Sequence, residues 1–297
     1  MKAILKSLII LLVLFSIRSS AQNFFTASGK EIISPDGKAF LIKGVNLGNW
    51  LVPEGYMFKF KKANSPRMVN NVITELIGPT EAKKFWILFQ DNYITEKDIE
   101  YIKEMGANTV RIPFNYKLFC DETYLWNNEQ RGFELLDRVI NWCEKYNVAV
   151  ILDMHCAPGG QTGDNIDDSY GYPWLFESDE SQQLMTEIWK NIAEHYADKK
   201  IILGYGLLNE PIAHFFDKEK LNPKLEPLYK RVVKEIRKVD KNHLIILGGA
   251  QWNTNFSVFG KPFGDKLVYE FHKYWMPPVQ EQIQEYIDFS NRYNVPI

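Results

Sequence analysis

Three cysteines in 297 residues, with no Cys-x-x-Cys pair among them, speak against a structural zinc site or a thioredoxin-like redox motif. Cys120, Cys143 and Cys156 leave two states open: one disulfide beside a free thiol, or three buried thiols. His-Glu-x-x-His does not occur, which excludes the common zinc-protease pattern. Neither Gly-x-Gly-x-x-Gly nor Gly-Lys-Ser/Thr is found in Lys43-Gly44-Val45-Asn46-Leu47-Gly48-Asn49-Trp50, after the first apolar strand, where a nucleotide-binding sheet would carry it. A cationic surplus is lacking too: 35 Lys and Arg stand against 37 Asp and Glu, a net charge of −2. Nucleic acid or anionic lipid would require a basic footprint, so neither is an expected partner. No Pro/Ser/Gly-rich linker and no repeat of roughly 20–50 residues divides the chain.

Long hydrophobic runs are equally scarce. One apolar run, Leu8 to Ile17 broken by Ser16, follows Lys2 and Lys6 and precedes Ser19-Ser20-Ala21. It is too short for a helix to span a roughly 30 Å hydrocarbon core, and small residues follow it at the position of a cleavage site. The reading is a secretory signal peptide, residues 1–21, with an uncleaved anchor as the alternative. A secreted product, extracellular or periplasmic, is expected, with no membrane contact beyond the signal. Cleavage would remove three cations and no acid, taking the charge from −2 to −5. With 45 % hydrophobic and 24 % charged residues, the remainder can build a sizeable core without metals or disulfides.

What is present is an alternation. Gly29 to Ile42 reads as a hairpin about Ser34-Pro35-Asp36-Gly37. Apolar β-branched runs follow at Leu41–Asn46, Thr109–Pro113, Ala149–Met154, Ile202–Leu207, Leu244–Gly248 and Leu267–Phe271. Helical periodicity fills Glu96–Met105, Phe133–Tyr146, Ser181–Tyr196, Leu225–Val239 and Val279–Tyr293. That cadence means right-handed βαβ units and a buried parallel sheet. Tyr293 to Ile297 reads as the start of a seventh strand. Without a nucleotide-binding turn, an eight-stranded (β/α)8 TIM barrel is favoured over a doubly wound sheet.

Polar and aromatic residues gather at the C-terminal ends of these strands, the face that carries the active site of such a barrel. Asn46 and Trp50 follow the first strand, Arg111 closes the second and His155 the third. Asn209 and Glu210 close the fourth, Trp252 and Asn253 follow the fifth, and His272 and Tyr274 the sixth. Glu210 is delivered to the barrel mouth by an apolar strand and followed by Pro211, which cannot continue a ladder. Apolar surroundings would disfavour its charged form and fit it for proton donation; a solvated loop glutamate or a helix cap is the alternative. For Arg111, His155 and His272 the choice lies between orienting a polar substrate and serving as satisfied structural polar groups. No third His, Cys or acid at zinc spacing makes either histidine a metal ligand.

Aromatics are plentiful: 8 Trp, 15 Tyr and 19 Phe. Trp50, Tyr56, Trp174, Trp252, Tyr274 and Trp275 fall in strand-end loops, where aromatic planes could stack on the C–H faces of sugars. Phe85, Trp86 and Phe89 recur at helical spacing and read as core.

Together these motifs resemble glycoside hydrolase family 5, the cellulase-type retaining β-glycosidases on a (β/α)8 barrel, from about Gly29 to Ile297. Leu208-Asn209-Glu210-Pro211 looks like the family's Asn-Glu-Pro at the end of strand four. The resemblance implies that Glu210 is the general acid/base and that Asn209 contacts the sugar 2-hydroxyl. Val110-Arg111-Ile112-Pro113, Leu152-Asp153-Met154-His155 and the His272-x-Tyr274 pair also match inner positions of the family. Gly44 to Glu54 and His155 to Gln161 look most like the exo-β-1,3-glucanase branch, which implies that Glu54 binds glucose; Asn49 and Cys156 stand where that branch commonly has glycine.

Retention needs a second carboxylate about 5 Å from the first. The resemblance places this nucleophile at the end of strand seven, a few residues beyond a segment like Asn294-Val295-Pro296-Ile297, and the sequence stops before it. Asp153, Glu270 and Glu54 are poor substitutes. The expectation is a secreted β-glucanase or β-glucosidase domain over residues 22–297 that is incomplete at its C-terminus and inactive as given. It would need no cofactor and take a β-glucan or β-glucoside. The rival is a non-catalytic carbohydrate-binding protein; mannan, cellulose or a glycolipid are alternative substrates.

Overall fold

A computed structural model describes residues 24–297 apart from Asn128 and Trp275; the expected signal segment and Trp275 thus lie outside the described residues. Two short strands, β1 (Thr26–Ser28) and β2 (Glu31–Ile33), pair antiparallel across Gly29, whose positive φ of 58° the tight reversal requires. The Ser34–Gly37 turn forms as read, with the Gly37 N–H donating to the Ser34 carbonyl at 2.9 Å. It returns only a single bridge, Ile33 to Ala39. The ladder therefore lies on the N-terminal side of the expected hairpin.

Six strands follow: β3 (Gly44–Asn46), β4 (Thr109–Asn115), β5 (Ala149–Cys156), β6 (Ile202–Gly206), β7 (Leu244–Gly248) and β8 (Leu267–Glu270). They form one parallel sheet in the order β3-β4-β5-β6-β7-β8. Sequential order, with a helix of eight or more residues in every crossover but that from β7 to β8, is consistent with a (β/α)8 barrel. The expected first strand shrinks from its Leu41 end to three exposed residues, because β3 is an edge with a neighbour on one side alone. At the other edge no strand forms over 294–297, yet the Pro296 carbonyl accepts from the Tyr269 N–H at 3.1 Å.

Period-two alternation sorts the side chains. Val110, Ile112, Val150, Leu152 and Tyr205 belong to the main core with the helices, while Ala149, Ile151, Leu203, Leu244, Ile246 and Val268 form a second, inner cluster closed off by Phe25 and Ile32. The inner face is thus apolar at its base. Two residues further along the same faces lie Asp153, His155 and Glu270, so the polar groups appear where the apolar plug ends.

Seven helices of eight or more residues are described. They are α1 (Pro66–Ile77), α2 (Pro79–Asn92), α3 (Glu96–Glu104), α4 (Gly132–Tyr146), α5 (Asp179–His195), α6 (Lys218–Val239) and α7 (Gln284–Tyr293). Local signals start several: Ser65 caps α1, a Thr95/Asp98 capping box opens α3 and Ser178 caps α5. The α6 helix begins at Lys218, well before the expected Leu225, and runs through Pro223 and Pro227. Burial of Leu221, Leu225, Leu228 and Tyr229 outweighs the two lost backbone donors. In α2, Trp86 is buried and Phe85 and Phe89 pack against it, as core. All three cysteines are free thiols, Cys143 and Cys156 buried and Cys120 partly so. Burial pushes the Cys143 thiol up to about 12. No described helix is long and apolar enough to cross a membrane.

At the N-terminal end of the sheet, buried Asp240 accepts from the Tyr205 hydroxyl (2.8 Å) and the Asn242 N–H (2.7 Å) and lies 2.5 Å from His243 Nδ1. Burial alone would raise the Asp240 carboxyl, but His243 and these donors hold it below the usual range. A lowered folded-state value stabilises above the ordinary carboxylate pKa, and that contribution is lost as pH falls through the folded value. Stability followed by urea titration should therefore decline on the acid side of about pH 4, and Asp240→Asn should flatten that decline. An unchanged acid limb in the variant would contradict this assignment.

Candidate active site

The β6-to-α6 connection carries Asn209 and Glu210. Glu210 sits at φ 48° and Ile212 at φ 56°, a left-handed backbone that costs a non-glycine residue roughly 1–3 kcal/mol unless its surroundings enforce it. Gln161 and Thr162, from the loop after β5, do so. Buried Gln161 donates through Nε2 to the carbonyls of His155 and Asn209, both at 2.8 Å, and accepts from the Ala157 N–H at 3.0 Å. The Thr162 hydroxyl donates to the Glu210 carbonyl at 2.7 Å. One amide thus ties the ends of two strands together. Sequence reasoning missed this role for Gln161, since nothing in its neighbourhood shows which carbonyls it will meet.

Arg111 from β4 is mostly buried. Its Nη2 donates to Asn209 Oδ1 at 2.9 Å and lies 3.0 Å from Asp153 Oδ1 and 3.8 Å from Glu270 Oε1. Burial disfavours its charge, but Asp153, Glu270 and Glu210 more than offset that and raise its pKa. Asp153 also holds His155, whose Nδ1 lies 2.7 Å from Oδ2. His272 Nδ1 lies 2.6 Å from Glu210 Oε1. Arg111, Asn209, His155, His272 and Glu210 therefore converge on one end of the sheet. Asp153 and Glu270, set aside in the sequence as substitutes for the second carboxylate, are inner-face partners of that group; the period-two step from Ile151 and Val268 is the signal that marks them.

Two cavities adjoin these residues. One of about 430 Å3 is lined by Glu210, Trp252, His272, Tyr274 and Asp164. The other, about 550 Å3, is lined by Asn46, Glu54, Tyr56, Tyr93 and His155. Burial raises the Glu54 carboxyl above its ordinary value, His155 opposes the rise and the Glu210 charge adds to it. Tyr274 is likewise raised, first by burial and then by Glu210. Trp252 packs edge-on to His214 at 4.6 Å. Tyr56 and Trp174 are more than half exposed. A larger cavity of about 620 Å3 lies at the opposite end beneath the hairpin, lined by Phe25, Phe40, Ala149 and three lysines, but Asp36 is its lone acid and it offers no acid–base pair. Among the described residues no group of three or more His, Cys, Asp or Glu could hold a metal ion.

Trp50 is the correction. It is fully buried, and its indole N–H donates to the Gln90 carbonyl at 2.8 Å, so it packs between the first strand-end loop and α2 and presents no face to a sugar. A strand-end tryptophan whose N–H finds a backbone partner is drawn inward by its area. Trp50→Ala should accordingly cost about 3–5 kcal/mol of stability, read by urea unfolding, and a folded variant of undiminished stability that had lost saccharide binding would reverse this placement.

A family model described as Cellulase (glycosyl hydrolase family 5) matches residues 70–294. A β-xylosidase of Phanerodontia chrysosporium is 30% identical over 254 residues, 84% of this chain and 52% of that protein. Endoglucanase C of Acetivibrio thermocellus is 32% identical over 186 residues, covering 62% of this chain and 51% of its own. Glucan 1,3-beta-glucosidase 2 of Wickerhamomyces anomalus is 28% identical over 250 residues, 78% and 56% respectively. The chain thus spans about half the length of the curated relatives it matches. In fold it is similar to rutinosidase from Aspergillus niger (TM-score 0.66, 18% identity, covering 92% of this chain and 77% of that one). Thermotoga maritima Cel5A in complex with mannotriose gives a TM-score of 0.52 at 20% identity, covering 85% and 73%.

Proposed function

The chain belongs to glycosyl hydrolase family 5, and on that premise we propose that it is a secreted retaining β-glycosidase acting on β-glucan or a β-glucoside, with Glu210 as general acid/base. The observation that carries this reading is the pairing of Glu210 with His272 at 2.6 Å beside Asn209, which Arg111 holds at 2.9 Å. In this reading Glu210 protonates the leaving oxygen and then, as carboxylate, activates water. Asn209 meets the sugar 2-hydroxyl, while Arg111, His155, His272, Tyr274, Glu54 and Trp252 bind and orient the sugar. A raised Glu54 carboxyl could donate to a hydroxyl as well as accept from one.

In this reading the described residues supply the acid/base half of the carboxylate pair. The other acids near Glu210 have engagements of their own: Asp153 with Arg111 and His155, Glu270 with Asn253 and Arg111, Asp164 with the Asn165 N–H, and Glu54 in the sugar-binding role above. We assign none of the acids in residues 24–297 to the role of nucleophile. A site without its nucleophilic carboxylate can be supplied with a small external nucleophile, and this gives the test. An activated aryl β-glucoside should persist with the chain alone and be cleaved when azide or formate is added, azide giving the α-glucosyl azide. Rapid unaided hydrolysis would overturn the missing-nucleophile assignment. Saccharide binding without cleavage under any condition would overturn the enzyme reading in favour of a binding protein. Products from a panel of β-1,3-glucan, cellulose and mannan then define the linkage; the Gly44–Glu54 and His155–Gln161 segments favour β-1,3.

A further inference from the structure

Glu270 ends β8 on the inner face, and its Oε1 accepts from Asn253 Nδ2 at 3.0 Å while Arg111 Nη2 lies 3.8 Å away. The same Asn253 nitrogen lies 3.3 Å from His272 Nε2, and the other ring nitrogen of His272 faces Glu210 Oε1 at 2.6 Å. Four side chains thus form one line, Glu270 to Asn253 to His272 to Glu210. We infer that Glu270 is a positioning residue that selects the Nδ1–H tautomer of His272 and thereby points a hydrogen-bond donor at Glu210. The inference rests on the reading of Glu210 as acid/base.

A carboxylate offers acceptors alone, so the Asn253 amide must turn its NH2 toward Glu270; the reverse orientation would set Oδ1 against Oε1. The second hydrogen of that NH2 is then available to His272 Nε2, which must accept it. Its proton is left on Nδ1, where it is donated to Glu210 Oε1. The surrounding structure holds Asn253 in this role. It is buried, it follows two other left-handed residues (φ 50°, 58° and 60° for Gln251, Trp252 and Asn253), and its carbonyl accepts from the His272 N–H at 3.3 Å. Its Oδ1 is packed over the α-carbon of Gly248, where any Cβ would collide with it, and has no hydrogen-bond partner among the described residues. The orientation is therefore set by what the NH2 meets and not by the oxygen. With one oxygen of Glu210 taken by His272, the other is left to exchange the proton with substrate.

Side-chain nitrogen NMR of the 15N-labelled full chain reads this directly. His272 should show a protonated, pyrrole-type Nδ1 and an unprotonated, pyridine-type Nε2 near neutral pH. In Glu270→Gln, which keeps the shape but can present a donor to Asn253 Oδ1, that pattern should become a mixture or invert. Glu270→Ala serves the same comparison if the Gln variant does not fold, since it frees the amide to turn. A proton on Nε2 in the parent, or an unchanged His272 pattern in a folded Glu270 variant, would overturn the inference. Because the readout needs no turnover, it stands or fails separately from whether the site cleaves saccharides.

Discussion

Glu210→Gln should lower azide-supported cleavage of aryl β-glucosides with poorly activated leaving groups by roughly 10²–10⁴-fold, the usual contribution of a positioned general acid. The loss should shrink as the leaving group becomes more acidic, because a stable phenolate departs without a proton. This dependence separates loss of proton donation from loss of binding, which would depress all leaving groups alike. Side-chain exposure of 19% for Glu210, beside His272 at 16%, makes a neutral isostere tolerable to the fold. Thermal unfolding near that of the parent should accompany the kinetic loss. A uniform loss across leaving groups would remove Glu210 from the acid role, whatever its place in the cleft.

The second large effect concerns stability. Asp153→Ala should cost about 3–5 kcal/mol, the range for leaving one member of a buried ion pair without its partner. Arg111 has a side-chain exposure of 13% and Asp153 none, and the same carboxylate also holds His155. The double variant Arg111→Met/Asp153→Leu should recover part of that cost, since the ion pair is removed as a unit and Glu270 keeps the Asn253 amide as a partner, while abolishing saccharide binding. Equilibrium unfolding in urea measures both. A single-variant cost below ~1 kcal/mol would mean that water reaches Arg111 and that the cluster is not the enclosed unit described.

Much of the architecture is legible along the chain. The six apolar runs and most of the crossover helices appear where periodicity puts them, because a strand buried on both faces and a helix buried on one leave distinct patterns in sequence. The helix at Pro79–Asn92 was visible merely as the spacing of Phe85, Trp86 and Phe89, and the one at Pro66–Ile77 was not read at all. The start of the Lys218–Val239 helix was hidden by Pro223 and Pro227, since a rule about lost donors cannot weigh the tertiary burial that outbids them. Trp50 shows the same gap from the other side. Its place in the strand-end loop was readable, but its direction depended on the Gln90 carbonyl 40 residues away.

Local patterns along the chain establish the kind of molecule: the βα alternation, the polar strand ends and the Asn209-Glu210-Pro211 segment are all set by backbone chemistry and side-chain type. Tertiary structure alone decided the partnerships. Asp153 and Glu270 become part of the site because neighbouring strands lie in register, Asp153 opposite Pro113 two residues beyond Arg111, and Glu270 opposite Gly248. Gln161 becomes a clamp because two loops meet over it. His272 becomes the donor to Glu210 because Asn253 is turned by a glutamate 17 residues further on. Hydrogen bonding is directional and short-ranged, so which acceptor a donor finds is fixed when distant strands are brought side by side, and no local pattern encodes it.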